Sequence, residues 1–242
     1  VSITPDPVQM RLTAYWDRWA AEYDGHQMGR LARQEERAVW ERVWWEVLPE
    51  HARDLLDVGT GSGNVALSLA RPGLAVTGVD LSGGMLARAR AKAEDHPCPP
   101  HFVLGDAVDP PLPPGSVDAI VSRYLLWTLR DAPAALARWH ALLRPGGVLV
   151  AVDGPWFAHE EELPRGTARQ DHFAAAYDAD AFARLPFGRA GVEEIARQWT
   201  AAGFVDVRAD PLPEVLALDR AHGVAPGHAP QLQYRLSARR PG

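Results

Sequence analysis

The residues that could do chemistry begin with Leu55-Leu56-Asp57-Val58-Gly59-Thr60-Gly61-Ser62-Gly63-Asn64-Val65. Glycines between a buried strand and a helix let the backbone approach a ligand with no Cβ in the way, at a positive helix end. The third glycine falls at Gly63, whereas a dinucleotide fingerprint would put it at position 64, which is Asn64. Asp57, just before the turn, would repel a pyrophosphate but suits a ligand carrying an ammonium group. Asp80 ends the next apolar run, where a carboxylate can accept both hydroxyls of a ribose. Asp106 follows the third run. With Ala107 behind it, it could accept from an exocyclic amine while a backbone N–H meets a ring nitrogen. A single aspartate opening a loop is commonly a turn residue. The ordered series of Asp57, glycines, Asp80 and Asp106 marks a site.

These side chains need elements to hold them. Thr13 to Leu48 reads as helix. The i,i+4 rows Val39/Val43/Val47 and Trp40/Trp44/Leu48 give it a broad apolar face, and Pro49 closes it. Residues 54–58 read as a buried strand, 65–70 as a helix and 75–79 as a second strand. Ser82 can cap the next helix, where Met85, Leu86 and Ala89 share one face. Third and fourth strands fall at 101–104 and 117–122. Asp131 caps a helix with Pro133 in its first turn, and Arg144-Pro145-Gly146-Gly147 leads into a fifth strand at 148–152. Such alternation implies a parallel α/β sheet covered on both faces. The pattern from Gly154 to Gly191 is irregular. Beyond it, 192–202 reads as helix, 204–208 as strand and 233–238 as a last strand. The expected organisation is a helical cap over 1–48 and a sheet domain over 49–242, with 154–191 inserted over the site.

Composition excludes several function classes. A net charge of −6 without a basic stripe argues against nucleic acid as a partner. The one cysteine, Cys98, can form neither an internal disulfide nor a thiolate zinc cluster, which fits a reducing cytosol. No run approaches the ~18 apolar residues of a membrane span, and Val1 to Asp6 lacks the features of a signal peptide. The expected location is cytoplasmic. No histidine pair stands at metal-ligand spacing beside an acid, so no metal is expected. Monomer and homodimer both stay open.

On these motifs the sequence resembles the class I S-adenosylmethionine-dependent methyltransferases, over about residues 50–210. The segments 55–67, 76–86, 103–123 and 142–152 carry the likeness. The resemblance implies a Rossmann-like, doubly wound, seven-stranded sheet whose last strand is antiparallel. It implies S-adenosyl-L-methionine as cofactor, leaving as S-adenosyl-L-homocysteine. By it the methionine part lies on Gly59, Thr60 and Gly61 with Asp57 near the amino group. The ribose goes to Asp80, adenine packs on Leu81, and the adenine amine meets Asp106. Gly63, Met85, Gly105 and Ala107 complete that set, and Ser122 and Arg123 stand at the mouth. More narrowly, the segment 123–129 and the opening Tyr15-Trp16-Asp17…Tyr23-Asp24 look like a bacterial small-molecule branch. By that resemblance Tyr15, Trp16 and Tyr23 are candidate cofactor-lid residues.

Methyl transfer from a sulfonium asks the protein mainly to align donor and acceptor and to exclude water. A base matters only if the acceptor must lose a proton. His26, Arg123 and Tyr124 are the catalytic candidates; Arg123 also suits a carboxylate, of cofactor or substrate, or a structural ion pair. His159 and His172 read as surface or packing residues, and Glu160 to Glu162 as a solvated face. Tyr124, Trp127, Trp156 and Phe157 are candidate contacts for a flat or apolar acceptor, such as a specialised metabolite. The alternatives are an NAD(P)-dependent oxidoreductase, which shares the βαβ unit and the ribose acid, and a non-catalytic S-adenosylmethionine-binding protein.

Overall fold

A computed structural model describes residues 6–157, 166–224 and 229–242. His159 and Glu160 to Glu162 lie outside the described residues. The chain opens with α1 (Pro7–Leu31) and α2 (Gln34–Trp45), followed by β1 (Asp54–Val58), α3 (Asn64–Leu69), β2 (Ala75–Asp80), α4 (Gly83–Ala93) and β3 (His101–Leu104). Next come β4 (Val117–Arg123), a 3-10 turn (Leu126–Thr128), α5 (Ala132–Leu142) and β5 (Leu143–Asp153). The chain then forms α6 (Ala168–Ala176), α7 (Ala179–Ala183), α8 (Val192–Ala201), β6 (Val205–Pro211), α9 (Pro213–His222) and β7 (Tyr234–Arg239).

The sheet order is β3-β2-β1-β4-β5-β7-β6, with β7 antiparallel to both neighbours and the remaining pairings parallel. The central strands β1, β4 and β5 are buried on both faces, and their side chains alternate between two cores. Leu55, Val121 and Val150 join one core with Trp40, Trp44 and Leu86; Leu56, Ile120 and Leu149 join the other with Trp139 and Trp199. A third cluster packs Val8, Leu12 and Tyr15 of α1 against Trp127, Phe157 and Tyr177.

Three expectations need correction. The single helix over 13–48 is two, broken at Arg33, whose backbone is extended (φ −82, ψ 130). Arg37 Nη1 there donates to the carbonyls of Leu31 and Ala32 at 2.6 and 2.9 Å, satisfying orphan groups at the end of α1. The stretch read as irregular holds α6 and α7, with side-chain caps at Thr167 and Asp178. A further helix, α9, starts at Pro213, where no element was expected.

Polar contacts tie α1 to the sheet domain. Asp17 Oδ1 accepts from Ser82 Oγ at 2.6 Å and from the Gly84 N–H at 2.9 Å, at the start of α4. Lys92, the chain's one lysine, bonds Asp24 on α1 and Asn64 at the start of α3. Arg169 on α6 bonds Glu22 at 2.7 Å, and Trp16 Nε1 donates to the Tyr177 hydroxyl at 2.9 Å.

Candidate functional site

The three acids sit at the carboxyl ends of adjacent strands, where Asp57 pairs in register with Gly78 and Asp80 with Leu104. This edge, beside the β1–β4 junction where the strand order reverses, is the crevice in which open α/β sheets bind ligands. Gly59, Gly61 and Gly63 have φ of +65, +54 and +81, a region that side chains with a Cβ rarely adopt. They differ in purpose. A Cβ on Gly61 would meet nothing within 4 Å, so its glycine serves the backbone conformation and leaves the space beside it open. A Cβ on Gly63 would stand 2.8 Å from both Ala89 and Phe102, so this residue lets α3 and α4 approach. Gly63→Ala should therefore destabilise the fold by about 3 kcal/mol, from left-handed backbone strain plus overpacking. Urea unfolding measures it.

Asp80 is held for display. Its Oδ2 accepts from the Gly61 N–H and its Oδ1 from the Ser82 N–H, each at 2.8 Å, which leaves lone pairs on both oxygens. Asp57 is buried. Its Oδ2 accepts from Thr60 Oγ1 at 2.6 Å and from the Ala66 N–H at 3.1 Å, while its Oδ1 has no partner among the described residues. Burial pushes its carboxyl up to about 7, against the lowering pull of Thr60, Ala66 and Arg123. Asp106 accepts from the Val108 N–H at 2.9 Å and is paired with Arg130, itself bound by Gln9 of α1 at 2.7 Å. An adenine amine would share that carboxylate with Arg130.

Arg123, at the end of β4, donates to Gln27 at 3.0 Å and lies over the rings of Trp40 and Tyr124, with centroids at 4.8 and 5.2 Å. Tyr124, the next residue, is held at φ 59, an outlier for a bulky side chain.

Three neighbouring cavities that share lining residues occupy this edge. A crevice is lined by Trp16, Tyr23, Asp80, Leu81, Met85 and Ala107, and it also reaches Gly59, Gly61, Asp106 and Arg123. A smaller recess is walled by Asp57, Gly59, Thr60, Gly61 and Arg123. An inner chamber is walled by Trp127 and Trp156 with Gln27, Arg30, Asp219 and Gln233. Trp16 and Tyr124 border the crevice and the chamber; Tyr23 borders all three.

Other expected residues fall elsewhere. Tyr15 is buried in the third cluster, its hydroxyl accepting from Arg169 Nε at 3.3 Å, and does not line the crevice. Gly105 is a packing position, where a Cβ would stand 2.8 Å from Pro111. Ser122 is buried within β4, and only Arg123 of that pair reaches the crevice. Phe157 packs against Trp127, Phe173 and Phe182. His26 lines neither the crevice nor the chamber. Sequence reading missed Gln9, Arg130, Gln27, Arg30, Asp219 and Gln233.

The general methyltransferase-domain family model matches residues 56–151, the segment carrying the glycine turn, Asp80, Asp106 and β4. The chain belongs to the class I S-adenosylmethionine-dependent methyltransferases. Nocamycin O-methyltransferase of Saccharothrix syringae is 34% identical over 188 residues, covering 71% of this chain and 66% of that protein. Malonyl-[acyl-carrier protein] O-methyltransferase of Serratia marcescens is 34% identical over 135 residues, 56% of this chain and 49% of the relative. The chain thus spans half to two thirds of these relatives. In fold it is similar to phosphoethanolamine N-methyltransferase 2 of Haemonchus contortus, solved with S-adenosyl-L-methionine. The TM-score is 0.60 and the identity 19%, over 85% of this chain and 52% of that one. Membership in this family decides against the nicotinamide reading. No described helix is long and apolar enough to cross a membrane.

Proposed function

We propose that the protein transfers a methyl group from S-adenosylmethionine to a small-molecule acceptor held in the inner chamber. The carrying observation is the meeting of three cavities at Tyr23: one with a ribose acid, one with a glycine turn between Asp57 and Arg123, and one walled by aromatic rings.

The site's own residues fit the cofactor. The unpartnered Asp57 Oδ1 suits an ammonium, and Arg123, with no carboxylate in ion-pair range among the described residues, suits a carboxylate. Asp80 offers its free lone pairs to two ribose hydroxyls, and Leu81, Met85 and Ala107 give the base an apolar slot. Bound cofactor supplies an electrophilic methyl on sulfur, and the protein contributes alignment and exclusion of water. Tyr23 and Trp16 stand between crevice and chamber, their rings edge to face at 5.6 Å. No fixed base is assigned: His26 lines none of the three cavities, and burial pushes the Tyr124 phenol up, away from proton transfer near neutrality. Location in the cytoplasm and a role in specialised metabolism go with this reading.

A pH dependence tests the assignment. An ammonium at Oδ1 favours ionised Asp57, whose carboxyl without ligand titrates at about 7. S-adenosylhomocysteine should therefore bind more tightly as pH rises through that value, releasing a proton below it. Without ligand the sign for stability is opposite: the raised folded value makes this contribution largest in acid and lost as pH rises through about 7. Calorimetry in two buffers of different ionisation heat reads the released proton, and Asp57→Asn should abolish it. Equal affinity on both sides of neutrality would remove Asp57 from the ammonium subsite. Failure of S-adenosylmethionine and S-adenosylhomocysteine to bind at all would overturn the function.

A further inference from the structure

We propose that the inner chamber recognises a compact ammonium head, which makes the methyl acceptor an amine; this rests on the methyltransferase reading above. Its walls include the rings of Trp16, Tyr23, Tyr124, Trp127 and Trp156, with Tyr124 and Trp156 edge to face at 5.2 Å. Its space is about 50 Å³, room for a few waters or a small head group.

The polar end of the chamber is a directed chain. Tyr124 donates its hydroxyl proton to Gln233 Oε1 at 2.8 Å, and Gln233 Nε2 donates to Asp219 Oδ2 at 2.7 Å. Arg30 Nη1 donates to Asp219 Oδ1 at 2.6 Å, while Arg30 Nε and Nη2 bind Glu36 at 2.8 and 3.0 Å. Tyr124 spends its one proton inside this chain, so its oxygen can only accept from a ligand. Arg30 and Asp219 line the chamber, and Glu36, outside its lining, also holds Arg30. One buried guanidinium is thus shared by two buried carboxylates, and the triad carries a surplus of one negative charge. Burial and Arg30 keep His26 toward its neutral form, and Arg123 is reserved for the cofactor carboxylate. Aromatic faces, an accepting phenol oxygen and surplus negative charge are the chemistry that binds an ammonium and disfavours a carboxylate.

In transfer, the ammonium loses one proton to water and the freed nitrogen pair forms the N–C bond. The C–S bond breaks with its electrons on sulfur, leaving a methylammonium and a neutral thioether.

The test is calorimetry on the full chain saturated with S-adenosylhomocysteine, using phenethylammonium, 2-phenylethanol and phenylacetate as probes. Phenethylammonium should bind about tenfold more tightly than the alcohol, and phenylacetate least. Asp219→Asn should erase the preference for the cation while leaving the alcohol unchanged; the wild-type comparison stands alone if that variant does not fold. Tighter binding of the alcohol or the carboxylate overturns the proposal. So does binding of S-adenosylhomocysteine with no probe binding, an outcome that leaves the methyltransferase reading intact. Failure of S-adenosylhomocysteine itself to bind overturns both.

Discussion

Arg30→Met should lower the unfolding free energy by about 3–5 kcal/mol, the cost of leaving buried charge without its partner. Arg30 is 7% exposed, while the Glu36 and Asp219 carboxylates that it bridges are fully buried. Without the guanidinium, each carboxylate pays for desolvation with no opposite charge, and each folded-state pKa rises. The sign of the pH dependence follows. A raised carboxyl stabilises below its unfolded value and loses that contribution as pH rises, so the deficit should be small in acid and full at neutrality. Replacing all three residues with apolar side chains of similar size should restore most of the loss, because no buried charge remains. Urea unfolding of the single and triple variants at two pH values measures both effects. A pH-independent deficit would mean that Arg30 acts through packing alone.

The glycine turn and its acids were legible because their requirements are local. A positive φ demands glycine wherever it occurs, and an acid closing a strand is fixed at that strand's end. The two-faced sheet was legible for the same kind of reason: Leu55 and Leu56 must point to opposite cores in any pleated strand. The chamber was harder to read. Trp16, Tyr23, Gln27 and Arg30 recur at intervals of seven, four and three, one face of a helix, so their alignment was available. The two polar residues break an apolar stripe, and that break is the local sign of a polar site. Asp219 and Gln233, far along the chain, carry no local sign that they meet Arg30.

Helix boundaries failed for different reasons. Thr167-x-x-Gln170 before α6 is a capping box, and Pro213 with Glu214 opens α9 with ordinary start signals. Both could have been read. The break at Arg33 could not, because Arg33 makes no side-chain cap and α2 starts without one. It is imposed by Arg37 turning back onto α1 and by Arg30 reaching Glu36 and Asp219, contacts that exist only once the helices have docked.

Asp80→Ala should weaken S-adenosylhomocysteine binding about a hundredfold, from two lost hydrogen bonds to a charged acceptor at roughly 1.5 kcal/mol each. The substitution also frees the Gly61 and Ser82 N–H groups that the carboxylate now holds, so a slackened turn contributes part of the loss. Two features limit that part. Ser82 Oγ still caps α4 through the Met85 N–H at 3.0 Å, and the Thr60 N–H still bonds the Val79 carbonyl at 3.0 Å. A double comparison separates the two effects. 5′-Methylthioadenosine and its 2′,3′-dideoxy analogue differ only in the ribose hydroxyls. The intact protein should prefer the former by about a hundredfold, and Asp80→Ala should not distinguish them. A variant that weakens both ligands equally while keeping that preference would show that Asp80 shapes the glycine turn and never touches the ribose.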